Sequence, residues 1–265
     1  MARQSGVNSD SCGNDSSAGF RHDAVCSKNS DNPGMLSADE LGIILLSLKV
    51  AGASVLFSLP LALGCALLLA RGSFTGKTLF DAVVHLPLVL PPVVIGYALL
   101  VLFGRQGVIG ALLHDWLGIT LAFRWTGAAL AAAVMGFPLM VRAMRLSIEA
   151  VPPRLEWAAR TLGASRWRAF YSVTLPLALP GIAVGVLLAF ARSLGEFGAT
   201  ITFVSNIPGE TQTLPLAIYG LTQSPGGDAA ILRLCAVSVV LSIAALAASE
   251  WINRRARLAR QAESA

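Results

Sequence analysis

Five long apolar stretches dominate the pattern of hydrophobic and polar positions along the chain. They lie at 41–70 (span one), 79–103 (span two), 126–146 (span three), 176–200 (span four) and 229–251 (span five). An α-helix needs about 20 apolar residues to cross the hydrocarbon core of a bilayer, and each stretch meets that length. Because lipid cannot satisfy free backbone groups, and the stretches lack the alternation of a barrel strand, we predict five transmembrane helices.

A sixth stretch, 201–223, is also rich in apolar residues but is interrupted by Pro208, Gly209, Glu210 and Pro215. Proline and glycine in such numbers break a continuous helix. We therefore predict an extramembrane or shallow re-entrant segment with a short helix over 214–221. A sixth span is the alternative.

The composition supports a membrane protein and excludes other classes. Apolar residues make up 55% of the chain and charged residues 13%, against about 25% charged in an average soluble domain. This argues against a disordered chain, a coiled coil, a small disulfide scaffold and a water-soluble enzyme. The sequence also lacks a phosphate-binding loop, zinc-protease and esterase motifs and any Cys-x-x-Cys pair. We therefore predict neither catalytic residues nor a metal site.

Lys and Arg residues outside the spans favour one side of the membrane. One side holds Arg71, Lys77 and the arginines within 142–168 and 254–260, whereas the loop after span two holds Arg105 and Arg124. Since short cytoplasmic loops carry the excess of Lys and Arg, the first side is predicted to be cytoplasmic. The N-terminus is then outside and the C-terminus inside. The net charge of +5 therefore reflects topology and does not require a nucleic-acid partner.

Residues 1–35 differ from the rest, being rich in Ser, Asn, Asp and Gly with no apolar run. We predict a disordered polar extension outside the membrane, followed by span one as an uncleaved signal anchor. Cys12 and Cys26 are either idle thiols or a disulfide formed in an oxidising compartment. Because the composition changes abruptly, a further hypothesis is that Met35 is the true start of translation.

The cytoplasmic segment 149–171, between spans three and four, is predicted to be a docking element. Pro152 and Pro153 can open a helix, and apolar residues then recur at helical spacing: Leu155, Ala158, Ala159 and Leu162. Gly163 permits a turn before a second short helix over 165–171. A short basic helix suits insertion into a groove on a partner protein. The alternative is an interfacial helix lying on anionic lipid.

At this segment the chain resembles the permease subunits of binding-protein-dependent ABC importers. Their pattern is Glu-Ala-Ala, then Gly, then a distant hydrophobic-x-Leu-Pro, and here Ala158, Ala159, Gly163 and 173–176 match it. The position that is Glu in the family pattern is occupied by Trp157 in this chain. The carboxylate lies one residue earlier, at Glu156, and a shift of one residue rotates a side chain by roughly 100° around a helix. The resemblance implies a set of residues that couple to an ATPase: Glu149, Glu156, Ala158, Ala159, Arg160, Gly163, Leu175 and Pro176.

Three further stretches, 85–104, 137–146 and 190–219, resemble the permeases of molybdate importers. This resemblance implies an all-α, polytopic permease domain over 36–265, of the methionine and molybdate importer type, in the bacterial inner membrane. It would carry molybdate, or tungstate, into the cytoplasm. The implied partners are a second copy of the chain, two cytoplasmic ATPase subunits that bind ATP–Mg, and a periplasmic molybdate-binding protein, with no cofactor on this chain. A permease for another oxyanion, such as sulfate, and an ion-coupled carrier are the alternatives.

Ionisable groups inside span four mark a candidate transport path. Arg192 and Glu196 are four residues apart, and charged groups within a span usually face a protein interior or an aqueous path. We predict a gate or path lining that comprises Arg192, Ser193, Gly195, Glu196, Phe197 and Gly198. The alternative is an ion pair that only stabilises helix packing. Pro87, Pro91 and Pro92 are predicted to kink span two, for movement or for packing.

Overall fold

The protein is a bundle of helices, seen here in a computed structural model that describes residues 37–118, 120–224 and 227–263. The helices are α1 (Ala38–Arg71), α2 (Lys77–Val89), α3 (Pro92–Phe103), α4 (Val108–Leu117), α5 (Trp125–Glu149), α6 (Pro153–Thr161), α7 (Arg166–Ala169), α8 (Leu175–Leu194), α9 (Gly198–Val204), α10 (Leu214–Thr222) and α11 (Asp228–Glu263). A π-helical turn, Phe170–Thr174, joins α7 to α8. The predicted extension 1–35, with Cys12 and Cys26, lies outside the described residues.

Four helices in the described ranges are long and apolar enough to cross a membrane. They are α1, α5, the continuous helix Arg166–Leu194 and the part of α11 over Asp228–Ile252. The bent pair α2 and α3 makes a fifth if the two are taken as one span. The predicted all-α, polytopic fold with about five spans is therefore confirmed.

Span two differs from the single kinked helix predicted over 79–103. It is divided into α2 and α3, which are bent by 110° relative to each other. Leu90 is extended (φ −71°, ψ 144°), because a residue before proline is driven out of the helical region. Pro91 and Pro92 also lack the N–H groups that would continue the helix. Pro87, in contrast, lies inside α2.

The predicted bounds of span four, 176–200, are wrong at both ends. At its start, the helix is already continuous from Arg166, and the predicted separate helix over 165–171 forms its first turns. The π-helical turn explains this continuity, since one extra residue in the turn makes room for the ring of Pro176. At its other end α8 stops at Leu194, and the chain breaks at 195–197 before α9 begins.

The stretch 201–223 contains two short helices joined by a loop. α9 has 7 residues and α10 has 9, or about 10 and 14 Å at 1.5 Å per residue. Neither length reaches across a hydrocarbon core of about 30 Å. The predicted short helix over 214–221 is α10. α4, which lies in the loop after span two, was not predicted.

α5 packs against both α1 and α8 and forms the centre of the bundle. Its inner residues are small and buried, among them Ala128, Ala131 and Ala132. At Gly136 an added Cβ would lie 3.3 Å from the carbonyl oxygen of Ala189 in α8. Small residues bring helix backbones together in this way, and close van der Waals packing is what holds helices to one another in lipid.

α3 and α9 make the closest helix contact around the bent span. A Cβ at Gly96 would lie 2.5 Å from the carbonyl oxygen of Ala199 and would also clash with Thr202 Oγ1. A Cβ at Gly198 would lie 2.8 Å from Cβ of Pro92. Glycine is therefore needed at both positions to let the two short helices touch.

We expect Gly96→Ala to lower the free energy of unfolding by about 1–3 kcal/mol, because the clash is with backbone that cannot rotate away. Thermal unfolding of the purified protein in detergent measures the effect. Gly64→Ala is the matched control, since a Cβ there meets nothing among the described residues within 4 Å. An equal loss in both variants would show that the α3–α9 contact is not the cause.

Candidate functional site

The predicted docking element is a helical hairpin. α6 follows Pro152 and starts at Pro153, where proline is tolerated because the first N–H groups of a helix have no intrahelical partner. Gly163 has φ +90°, a left-handed conformation that favours glycine. Ser165 then caps α7 by accepting a hydrogen bond from the backbone N–H of Arg168. The two helices are thus fixed at a sharp turn.

The exposed part of this hairpin carries large apolar side chains together with arginines. We call it the docking surface, and it comprises the exposed residues Arg154, Leu155, Trp157, Arg160, Leu162, Arg166, Trp167, Arg168 and Tyr171. Leu162 is 89% exposed, and the rings of Trp167 and Tyr171 stack with centroids 6.4 Å apart. Aromatic and arginine side chains are enriched where proteins bind one another. The surface therefore has the chemistry of a protein interface.

A groove of about 540 Å³ crosses the docking surface at the turn. Its lining includes Trp157, Arg160, Gly163 and Arg166. Of the residues predicted to couple to an ATPase, Ala158, Arg160 and Gly163 are exposed here, whereas Ala159 is half-buried. The structure therefore places Arg160 and Gly163 at one groove.

Glu156 points away from the docking surface, towards the membrane helices. Its Oε1 lies 3.0 Å from Nη2 of Arg71, at the end of α1, and accepts a hydrogen bond from Thr174 Oγ1. Leu175 and Pro176 follow Thr174 as the first residues of α8. The shift of the carboxylate from position 157 to 156 thus turns it inward.

Glu149, the other predicted coupling carboxylate, belongs to a second charged cluster. Its Oε1 accepts a hydrogen bond from Arg145 Nε at 2.8 Å, and Arg145 Nη1 lies 3.1 Å from Asp81 Oδ2 on α2. His85 Nδ1 lies 3.2 Å from the other oxygen of the Asp81 carboxylate. This cluster connects the end of α5 to α2.

The predicted gate residues lie where α8 breaks before α9. Arg192 Nη1 is 2.6 Å from Glu196 Oε2, and the Glu196 side chain is only 2% exposed. The other oxygen of Glu196 accepts a hydrogen bond from the backbone N–H of Ala199 at 2.9 Å. Glu196 is past the end of α8, yet it pairs with Arg192 and caps α9 at the same time.

The other predicted gate residues hold the break in place. Ser193 is buried, accepts a hydrogen bond from Ser54 Oγ at 3.0 Å and so links α8 to α1. Phe197 packs against Tyr219 of α10 with ring centroids 5.0 Å apart. Gly195 ends α8, and Gly198 begins α9 beside Pro92. The structure therefore joins the gate set to one of the predicted kink residues.

Four functional candidates were not identified from the sequence: Arg71, Thr174, Asp81 and Tyr219. The sequence marks Arg71 only as one of the basic residues that indicate the cytoplasmic side. Its position at the end of an apolar span was the available signal, because an arginine there can bind free carbonyl groups at the helix end. The pairing of Thr174 with Glu156 joins residues 18 apart, and no local pattern indicates it.

The comparisons of this chain with known proteins agree on one family. Residues 58–258 match the family described as binding-protein-dependent transport system inner membrane component. The molybdenum transport system permease protein of Escherichia coli K12 is 62% identical, over 84% of this chain and 97% of that protein. The sulfate transport system permease protein of the same organism is 38% identical, over 79% of this chain and 75% of that protein.

Solved structures share the fold. The MetNI methionine ABC transporter in an inward-facing conformation matches with a TM-score of 0.63 at 16% identity, covering 83% of this chain and 99% of that chain. The bacterial alginate ABC transporter in complex with an alginate pentasaccharide-bound periplasmic protein matches with a TM-score of 0.62 at 20% identity. The match covers 83% of this chain and 79% of that chain. At these identities the likeness concerns the fold alone.

Proposed function

Because this chain belongs to the family of binding-protein-dependent transport system inner membrane components, we propose that it is the permease subunit of an ATP-driven importer that carries molybdate into the cytoplasm. The observation that carries this proposal is the 62% identity to a molybdenum transport permease over 97% of that protein's length. The membrane helices required of a permease are present in the described ranges.

ATP hydrolysis is assigned to separate cytoplasmic subunits that bind the docking surface. Exposed Trp157, Leu162 and Trp167 would fill pockets on such a partner, with the surrounding arginines at the rim. We propose two ATPase subunits, which hold ATP–Mg, and two copies of this chain with the transport path at their interface. We propose no reaction and no cofactor for this chain itself.

A periplasmic binding protein is proposed to deliver the oxyanion at the opposite end of the bundle. The alginate transporter of the same fold is in complex with a periplasmic protein, which supports this kind of partner. The orientation follows from charge: the arginines of the docking surface and Arg71 lie at one end of the membrane helices. Since the positive end faces the cytoplasm, the C-terminus is cytoplasmic and the N-terminus is outside.

The helix break at 195–197 is proposed as part of the gate. Movement of the docking surface on ATP binding would shift α8, and α9 would follow because Glu196 ties it to Arg192. The Arg192 side chain is 30% exposed, and its positive charge would attract an oxyanion. Tight binding there is not required, since a substrate that binds too strongly cannot leave.

Sulfate transport is the second candidate, supported by the 38% identity to a sulfate permease. The higher identity to the molybdenum permease favours molybdate. Tungstate, a tetrahedral dianion of nearly the same size, is expected to share the path with molybdate. Family membership gives an ion-coupled carrier no support.

Reconstitution tests the proposal directly. The chain, its ATPase and its binding protein are placed in proteoliposomes, and uptake of labelled molybdate is measured with ATP inside or outside. We expect uptake that needs ATP and the binding protein and that excess tungstate suppresses, whereas an equal excess of sulfate has little effect. Suppression by sulfate alone would transfer the assignment to sulfate, and uptake without the ATPase would contradict an ATP-driven importer.

A further inference from the structure

Arg71 joins three segments, α1, α5 and the hairpin, at the end of the bundle that carries the docking surface. Its Nη2 donates to the carbonyl oxygen of Ile148, in the last turn of α5, at 3.4 Å, and to that of Val151, just beyond α5, at 3.0 Å. The same nitrogen lies 3.0 Å from Glu156 Oε1 on α6. One guanidinium therefore holds the ends of α1 and α5 and the beginning of the hairpin.

Glu156 extends this junction to α8. Its carboxylate accepts a hydrogen bond from Thr174, which is fully buried at the end of the π-helical turn. We call Arg71, Glu156 and Thr174 the Arg71 junction. Two contacts, from Arg71 and from Thr174, therefore converge on the Glu156 carboxylate. Both are strong, because hydrogen bonds to charged groups are shorter and stronger than neutral ones.

Apart from the Arg71–Glu156 pair and its packing on α7 and the π-helical turn, α6 has little contact with the membrane helices. Every residue of α6 is described by the structure, and none of them is buried. The helix packs against α7 and the π-helical turn, while its attachment to α1 runs through the Arg71–Glu156 pair. This pair is therefore a direct route by which a force on the docking surface reaches α1, beside the indirect route through α5 and α8, which both pack on α1.

We propose that Arg71 is a positioning residue that couples α6 to α1, so that motion of the docking surface moves the gate helices as one body. This inference rests on the proposed function. It assigns Glu156 an internal role, holding the hairpin, in place of contact with the ATPase. α8 moves through its covalent link and Thr174, and α1 moves through Arg71.

A double-mutant cycle of Arg71→Gln and Glu156→Gln tests the proposal in the reconstituted transporter. The readout is the number of ATP molecules hydrolysed per molybdate taken up. The amide in Glu156→Gln can still accept from Thr174, whereas the shorter side chain in Arg71→Gln also gives up the bonds to the carbonyl groups. The interaction energy of the cycle, rather than either single effect, therefore isolates the Arg71–Glu156 pair. We expect each single variant to raise the ratio at least roughly fivefold, the lower range of coupling between sites.

The double variant is expected to be no worse than the worse single variant, because both residues act through the same contact. Arg71→Lys should stay nearer to wild type, since its ammonium can still pair with Glu156. Arg254→Gln is the matched control, because Arg254 pairs with Glu250 on an exposed part of α11. Amounts of protein in the membrane and of co-purifying ATPase are measured for every variant.

An unchanged ratio in both single variants, or additive effects in the double variant, would overturn the role of Arg71. Loss of ATPase co-purification in Arg71→Lys as well as Arg71→Gln would also overturn it, since Arg71 would then maintain docking. Should Arg71→Gln fail to reach the membrane, Glu156→Gln carries the test, since it removes the same charge pair and leaves Arg71 bound to the carbonyl groups at the end of α5. A wild-type transporter that takes up no molybdate would instead contradict the proposed function.

Discussion

Replacing Gly163 by tryptophan is expected to cut molybdate uptake per ATP hydrolysed by tenfold or more, while the protein still reaches the membrane. Two effects combine at this position. The backbone has φ +90°, which costs a residue with a side chain about 1–2 kcal/mol. A large side chain would also fill the groove between Arg160 and Arg166. A loss of about 1.4 kcal/mol of coupling is enough for a tenfold change.

A series of side chains separates the two effects. Asparagine tolerates the left-handed conformation, so Gly163→Asn tests bulk with little strain. Gly163→Ala tests strain with little bulk, since a Cβ at Gly163 meets nothing among the described residues within 4 Å. Gly209→Ala is the control, because Gly209 has φ +79° and similar open space in the loop before α10.

The measurements are uptake, ATP hydrolysis and co-purification of the ATPase, each normalised to the amount of permease. We expect the loss of coupling to increase from Gly163→Ala to Gly163→Trp, with Gly209→Ala close to wild type. Wild-type uptake in Gly163→Trp would remove the turn from the coupling mechanism. An equal defect in Gly209→Ala would assign the effect to general strain.

The length of the apolar stretches predicted the membrane helices because a span is a local property of about 20 residues. Spans one, three and five are found as single helices that include the predicted ranges, and α11 continues beyond its range to Glu263. Span two was predicted as one helix because composition alone counts apolar residues. Where a Pro-Pro pair lies within a span, the bend angle depends on what the second half packs against, here α9.

The first helix and the turn of the hairpin were predicted because their signals are local, namely Pro153 at the start of α6 and Gly163 at the turn. The direction of Glu156 was not predictable in the same way. Its partners, Arg71 and Thr174, come from two other helices, and only tertiary packing brings them together. A helical wheel shows that position 156 differs from position 157 but not which side chain it meets.

The spacing of four residues correctly predicted that Arg192 and Glu196 pair, but the reason for the pairing was incomplete. Arg192 and Glu196 were expected to meet as neighbours on one continuous helix. The helix ends between them, at Gly195, and the pair persists because Glu196 caps the next helix. The carboxylate thus belongs to two helices, which gives a charge inside the membrane domain a structural reason to be there.

The Arg192–Glu196 pair is expected to respond asymmetrically to substitution. Arg192→Met should lower the free energy of unfolding by about 3–5 kcal/mol, because it leaves a buried carboxylate without its cation. Glu196→Gln should cost less, about 1.5–3 kcal/mol, since Arg192 is 30% exposed and the amide oxygen can still cap α9. The double variant should recover part of the loss seen in Arg192→Met.

Transport distinguishes a gate from a packing contact. In the reconstituted transporter we expect Glu196→Ala to change molybdate uptake or basal ATP hydrolysis, because α9 loses both its cap and its tie to α8. Glu250→Ala is the control, since Glu250 pairs with Arg254 at the same i, i+4 spacing but is 60% exposed and should contribute at most about 1 kcal/mol. If Glu196→Ala is less stable yet transports and hydrolyses ATP as wild type does, the pair only stabilises packing and the gate lies elsewhere.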